Sequence, residues 1–242
     1  MPWTERSLTE DWGIEMMACF AECRRLLRGK MFWVAVLLTV FALWTELGSE
    51  IYWLLHGAQL SFAGLAEKAL IGEGNLLSLP LLAALPSAAL ARQELSGGAV
   101  SAILFRCGRA KYLISRFFSV LFCAVFSQVG GILLFMSILT ALLSPEPFSA
   151  ALLGARMLSS TVFALAGGFA ALLTKDAVSA CAVPVVLCFS CSMLQARFWT
   201  EAVFLDPLSW LKGESFLFPT ALLLSFSLLY LACLSREVKR YV

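Results

Sequence analysis

Charged residues are scarce in this chain of 242 residues, of which Asp, Glu, Lys and Arg make up only 14%. In a typical soluble domain these four residue types make up about a quarter of all residues. Hydrophobic residues reach 60%, and uncharged runs recur at 74–91, 117–145, 157–174, 177–196 and 215–235. Each run is near the ~20 helical residues that cross ~30 Å of hydrocarbon. The composition therefore argues against a soluble domain and predicts a membrane protein.

Residues that carry catalysis are also missing. Histidine occurs once, at His56, and neither Gly-x-Ser-x-Gly nor His-Glu-x-x-His is found. The only Gly-Lys pair, Gly29-Lys30, lacks the upstream glycine of a Walker A loop and is followed by Met31. The eight cysteines fall in apolar runs or in segments expected to stay reduced, so they predict packing and not a disulfide framework. We expect no active site, metal site or cofactor site in this chain.

Ionisable groups are nearly absent from the interiors of the apolar runs. Ion-driven carriers need such groups at membrane depth, where they are costly and therefore functional. Glu46 and Arg156 lie near the predicted outer ends, where we expect their side chains to reach the interface. A few uncharged polar residues are expected to form hydrogen bonds between helices: Ser127, Gln128, Ser190 and Ser192. A carrier of this composition would have to be driven from elsewhere.

The runs predict one all-α membrane domain over residues 1–242, with six spans at about 28–47, 75–91, 115–143, 151–174, 177–195 and 215–235. Of the 18 basic residues, fourteen fall on one side of this topology. Only four fall on the other: Lys68, Arg156, Arg197 and Lys212. The positive-inside rule then places both termini in the cytoplasm. The net charge of +2 gives no reason to expect a nucleic-acid partner.

An amphipathic helix is predicted before the first span, over residues 10–29. Its apolar face includes Trp12, Met16, Phe20 and Leu27, and acidic and basic residues lie opposite. Such a helix lies in the membrane interface with its apolar face against the lipids. The alternative is a helix that packs on a partner protein at the inner surface. Its acidic residues argue against a signal peptide.

The loop between spans two and three, residues 92–114, carries a second amphipathic pattern. Val100, Ile103, Leu104 and Cys107 recur at helical spacing, and glycines lie on both sides. The surrounding basic residues predict a cytoplasmic location. A short helix in a basic cytoplasmic loop is a docking surface for a partner. The alternative is a charged anchor that only fixes the topology.

The same loop carries a resemblance to a known family. Glu94-Leu-Ser-Gly97-Gly98, followed by Arg109 and then by Lys111-Tyr-Leu-Ile-Ser-Arg116, resembles the type-2 ABC exporter permeases, as does the six-span layout with an outer segment at 196–214. In that family the short helix is the coupling helix, which sits in a groove of a separate ATPase. The chain departs from the pattern at Arg106-Cys107-Gly108, where a proline is common. The resemblance assigns coupling to Glu94, Gly97, Gly98, Val100, Ile103, Leu104, Arg106 and Arg109.

The resemblance also implies partners. It implies a nucleotide-binding subunit that holds ATP and Mg, a second permease copy or a homologous permease, and the lipids of a bacterial cell membrane. The uncharged spans suit hydrophobic or amphipathic cargo, such as antimicrobial or cytolytic peptides moved outward. Four residues are candidates for lining the pathway: Pro80, Ser87, Gln128 and Ser190.

Two other functions remain open. The chain could be the substrate-binding six-helix subunit of an energy-coupling importer, which would bind a small polar ligand on its own. It could instead be a membrane scaffold without transport, which would gain support if no ATPase were encoded next to it. The basic loop at 92–114 is hard to explain on the importer hypothesis.

Overall fold

The computed structural model describes residues 24–25, 27–58, 60–96, 100, 104–105 and 108–239, and it leaves the side chains of Leu55 and of residues 89–96 undescribed. Within these ranges the regular structure is helical. The helices are α1 Lys30–Glu46, α2 Gly48–Leu55, α3 Phe62–Ile71, α4 Asn75–Ser96, α5 Arg109–Leu142, α6 Ala150–Thr174, α7 Ala177–Arg197, α8 Pro207–Lys212 and α9 Leu217–Val238, with a 3-10 turn at Val203–Leu205. The amphipathic helix predicted over 10–29 lies almost wholly outside the described residues.

Several long apolar helices make this a multi-pass membrane protein by length and composition. Four of them, α5, α6, α7 and α9, could each cross a bilayer. Two bent pairs could add one span each: α1 with α2, bent by 65°, and α3 with α4, bent by 73°. The uncharged runs thus coincide with helices, as predicted. The described residues support between four and six spans.

Two predicted boundaries of the loop at 92–114 differ from the structure. Helix α4 continues to Ser96, and α5 already begins at Arg109. The charged residues in these stretches end the apolar runs, but they are good helix formers, so the helices extend past the hydrophobic segment. The connection shrinks to residues 97–108. It ends at Gly108, whose φ of 74° is a conformation that favours glycine.

Helix α6 lies at the centre of the bundle. Of its apolar stretch 67% is buried, compared with 22% for α7 and 17% for α9. Small residues permit this central position. A Cβ added at Gly167 of α6 would lie 2.6 Å from Ala84 Cβ of α4 and 2.7 Å from the Ala180 carbonyl oxygen of α7. Glycine at this position therefore lets three helices approach closely, which is how helices associate in lipid.

The long helices run alternately up and down, which gives the bundle two chemically different ends. One end holds the start of α5 and the C-terminal ends of α6 and α9, together with Lys30, Arg109, Lys175 and Arg236. We call it the basic end. The opposite end holds Arg156 near the start of α6, and we call it the Arg156 end. There α3 packs an apolar face on α1, α5 and α6 through Phe62, Leu65, Ala66, Ala69 and Leu70.

Candidate functional site

The segment 97–108 joins α4 to α5 at the basic end, and two of its three described apolar residues, Val100 and Leu104, turn toward the bundle. Val100 is 3% exposed and Leu104 is 8% exposed. Both belong to one apolar cluster with residues of α5, α6 and α9: Tyr112, Val120, Ala124, Ala164, Leu165, Leu172, Tyr230, Leu234 and Val238. The Gly108 N–H donates to the Leu104 carbonyl at 3.0 Å, a spacing typical of a helical turn. The two described residues of the predicted apolar face are therefore covered by the chain's own helices.

Phe105 follows directly and points away from that cluster. It is 97% exposed, the highest value among the large hydrophobic residues that the structure describes. Successive helical residues differ by about 100° in direction, so burial of Leu104 turns its neighbour outward. Phe105 was not among the residues predicted to be functional from the sequence. Because it directly follows Leu104 of the predicted apolar face, its outward direction could have been predicted.

Arg109, predicted to serve in coupling, contacts another helix of the same chain. One terminal nitrogen, Nη2, donates to the Ser235 carbonyl oxygen at 3.1 Å and lies 3.2 Å from Ser235 Oγ. Ser235 lies in the last turn of α9. At the same end, Lys175 Nζ lies 3.9 Å from Glu237 Oε2 and links the turn after α6 to α9. These contacts bring α5, α6 and α9 together around the segment.

The other predicted coupling residues fall outside what the structure describes. Gly97, Gly98, Ile103 and Arg106 are not described, and neither is the side chain of Glu94. The same holds for three of the four residues proposed for the interfacial face: Trp12, Met16 and Phe20. The fourth, Leu27, is 46% exposed, and its carbonyl oxygen accepts from Trp33 Nε1 at 2.8 Å.

The four candidate pathway residues do not share one surface of the chain. Pro80 and Ser87 are buried in α4, and the Ser87 hydroxyl donates to the Ala84 carbonyl at 2.9 Å. Gln128 is buried between α5 and α1, where its amide nitrogen donates to Thr39 Oγ1 at 3.3 Å. Ser190 lies on the exposed surface of α7. A pathway through all four would therefore need a rearrangement or a second chain.

Arg156 is buried, and the prediction that its side chain reaches the interface is wrong. It is only 1% exposed. Its Nη1 donates to the Leu70 carbonyl and its Nη2 to Asn75 Oδ1, both at 3.0 Å. The prediction failed because the last turn of α3 and the first residue of α4 supply acceptors for the guanidinium inside the protein.

This buried arginine completes the end of α3. Asn75 donates through Nδ2 to the Ala69 carbonyl at 2.8 Å, so Arg156 and Asn75 together bind two of the last carbonyls of that helix. A cation is favourable beside the C-terminal end of a helix. The Glu46 carboxylate acts electrostatically on Arg156. It also lies against Gly72 and Gly74, so a Cβ added at either glycine would collide with this carboxylate. The network therefore joins α1, α3, α4 and α6.

No group of three His, Cys, Asp or Glu side chains in the described ranges could hold a metal ion. Compared with protein-family models, curated proteins and solved structures, the chain shows no significant match.

Proposed function

We propose that this chain is the permease subunit of an ATP-driven ABC exporter in the bacterial cell membrane. It would have no ATPase site of its own and would be powered by a separate nucleotide-binding subunit that holds ATP and Mg. The observation that carries this proposal is the arrangement of segment 97–108. Its apolar residues Val100 and Leu104 are buried in the bundle, whereas Phe105 is fully presented to the outside.

The charge distribution supports the orientation. The described Lys and Arg residues of the Arg156 end are only Lys68, Arg156, Arg197 and Lys212, whereas those on the side of the basic end are Arg24, Arg25, Arg28, Lys30, Arg109, Lys111, Arg116, Lys175, Arg236 and Lys239. The basic side of a membrane protein faces the cytoplasm. On this orientation both termini and segment 97–108 are cytoplasmic, on the side where ATP is available.

The contacts of the segment support a role in transmission. A partner that holds Phe105 would pull on a segment whose Val100 and Leu104 are packed against α5, α6 and α9. Packed apolar cores are poorly compressible, so a displacement of the segment moves the helices around it. A segment that only fixed the topology would need neither a buried face nor an exposed aromatic side chain.

The exposed surface supports a hydrophobic or amphipathic cargo. Helices α7 and α9 leave most of their apolar stretches outside the buried core, and their large exposed side chains include Val186, Phe189 and Leu228. A second permease, identical or homologous, would supply the opposite wall of the pathway. Antimicrobial or cytolytic peptides are cargo of this kind, because they are amphipathic and carry a large apolar face.

The Phe105→Ala variant tests the proposal. We expect it to reach the membrane in normal amounts and to lose the ATPase activity that co-purifies with the tagged wild-type chain in mild detergent, by about tenfold or more, as for a hot-spot aromatic residue. The matched control is Phe198→Ala, because Phe198 is also highly exposed, at 73%, but lies at the Arg156 end. The measurement is ATP hydrolysis per mole of purified chain.

Three results would contradict the proposal. Wild-type chain that never co-purifies with an ATPase would favour the scaffold hypothesis, and tight binding of a small polar ligand by the isolated chain would favour the importer subunit. Full ATPase activity with Phe105→Ala would show that the exposed ring is not part of the docking surface.

A further inference from the structure

The contact between Arg109 and Ser235 joins parts of the chain that are 126 residues apart. Arg109 is the first residue of α5, directly after segment 97–108, and Ser235 lies in the last turn of α9. The segment is covalently connected to α4 and α5. It reaches α9 only through non-covalent contacts.

The chemistry of this contact is well suited to hold a helix end. The Ser235 carbonyl accepts from the Lys239 N–H at 3.2 Å and from Arg109 Nη2 at 3.1 Å, so the cation adds a second bond to a carbonyl in the last turn of the helix. A positive charge at the C-terminal end of a helix is further favoured by the helix dipole. The contact is part-buried, so water screens it less than a surface contact.

Apolar packing reinforces the same connection. Val100 and Leu104 belong to the cluster that contains Tyr230, Leu234 and Val238 of α9. Among the four helices that could each cross the bilayer, α9 has the smallest buried share, 17%, and the contacts it does make include a long packed face on α6. Segment 97–108 and α9 therefore share one apolar cluster at the same end of the bundle where Arg109 binds Ser235.

We propose that segment 97–108 drives α9 as well as its covalent neighbours, with Arg109 as the positioning residue that holds Ser235 during the movement. This inference rests on the proposed function and names the route by which the partner's work reaches the bundle. ATP binding by the partner would displace the segment, and the Arg109–Ser235 contact would carry α9 with it.

The test uses the complex purified with its ATPase and two readouts. The first is the distance between probes introduced by unnatural amino acids at Leu142 and Leu217, which end α5 and begin α9 and are 52% and 88% exposed. The second is the maximal rate of ATP hydrolysis together with its KM. In the wild-type complex we expect the distance to change when ATP binds.

In Arg109→Gln we expect the distance change to be lost and the maximal hydrolysis rate to fall roughly tenfold, the factor for one charge-assisted hydrogen bond. The KM for ATP should stay unchanged, because the nucleotide site is in the partner. Arg109→Lys should recover part of the rate. Ser235→Ala should have a smaller effect, because the carbonyl acceptor remains. The double variant should be no worse than Arg109→Gln alone, as for two residues in one contact.

Two matched controls isolate the contact. Arg236→Gln removes the same charge from the exposed neighbour of Ser235, and Ser227→Ala removes a hydroxyl of α9 that donates to its own helix at Leu223, 2.6 Å away. Both should behave as wild type. Wild-type distance changes and rates in Arg109→Gln and Ser235→Ala would overturn the inference, while the loss in Phe105→Ala would leave the proposed function standing. If Arg109→Gln fails to fold, Ser235→Ala and the Ser227→Ala control decide the outcome.

Discussion

Both ends of the bundle use an arginine of one helix to bind the carbonyl end of another. At the Arg156 end the guanidinium binds Leu70 of α3, and at the basic end Arg109 binds Ser235 of α9. The surroundings differ. Arg156 is 1% exposed and shares its site with Asn75 and Glu46, whereas the Arg109 contact is only part-buried. The same type of contact is thus buried at the Arg156 end and only part-buried at the basic end.

The difference in burial determines how much free energy the loss of each contact costs. Buried polar groups are strongly destabilising when they lose a partner, because no water replaces the lost bond. A part-buried contact can exchange its partner for water at lower cost. Loss of the Arg156 contacts should therefore destabilise the fold more than loss of the Arg109 contact.

The largest expected effect is that of Arg156→Met. It leaves the Leu70 carbonyl and the Asn75 amide oxygen without this donor, so we expect the free energy of unfolding to fall by about 3 kcal/mol. Reversible unfolding by SDS in mixed micelles measures the change. Arg197→Met is the matched control, since Arg197 is an exposed arginine at the same end, and we expect almost no change there. An equal effect of the two variants would show that the buried contacts of Arg156 contribute no more to stability than an exposed arginine does.

A smaller effect is expected at Gly167, which keeps the central helix α6 in contact with α4 and α7. Gly167→Ala forces a Cβ to within 2.6 Å of Ala84 Cβ, and overpacking of this kind costs about 1–3 kcal/mol. The gain in helix propensity, up to about 1 kcal/mol, offsets part of it. The free energy of unfolding, measured by the same SDS titration, should therefore fall by about 1 kcal/mol.

Gly154→Ala in the same helix separates the two contributions. An added Cβ at Gly154 would meet no described atom within 4 Å, so only the propensity gain remains and the variant should be slightly more stable. If both alanine variants were stabilised equally, the close packing of α6 against α4 and α7 at Gly167 would be refuted.

The sequence was sufficient to predict where the long helices lie. Uncharged runs such as 157–174 and 177–196 coincide with α6 and α7 because the exclusion of charge from hydrocarbon acts on every residue of a span. Helix ends were less predictable. Arg109 and Lys111 end an apolar run but not a helix, since the backbone of a helix can continue into water.

The contacts of the site could not be predicted in the same way. Arg156 lies 86 positions from Leu70, and Arg109 lies 126 from Ser235, so neither pair leaves a local pattern. Their partners are backbone carbonyls, which every residue carries. The outward direction of Phe105 follows from the burial of Leu104, and that burial depends on α9, at the far end of the chain.

Photocrosslinking from position 105 is the most direct test of whether Phe105 docks on a separate ATPase subunit. A benzoylphenylalanine placed at Phe105 would be irradiated in native membranes, and the adduct identified by mass spectrometry. We expect one main adduct, formed with a subunit that contains a Walker A loop. We also expect the yield of this adduct to change when ATP is added. Adducts formed only with lipids or within the chain itself would show that Phe105 does not dock on an ATPase subunit.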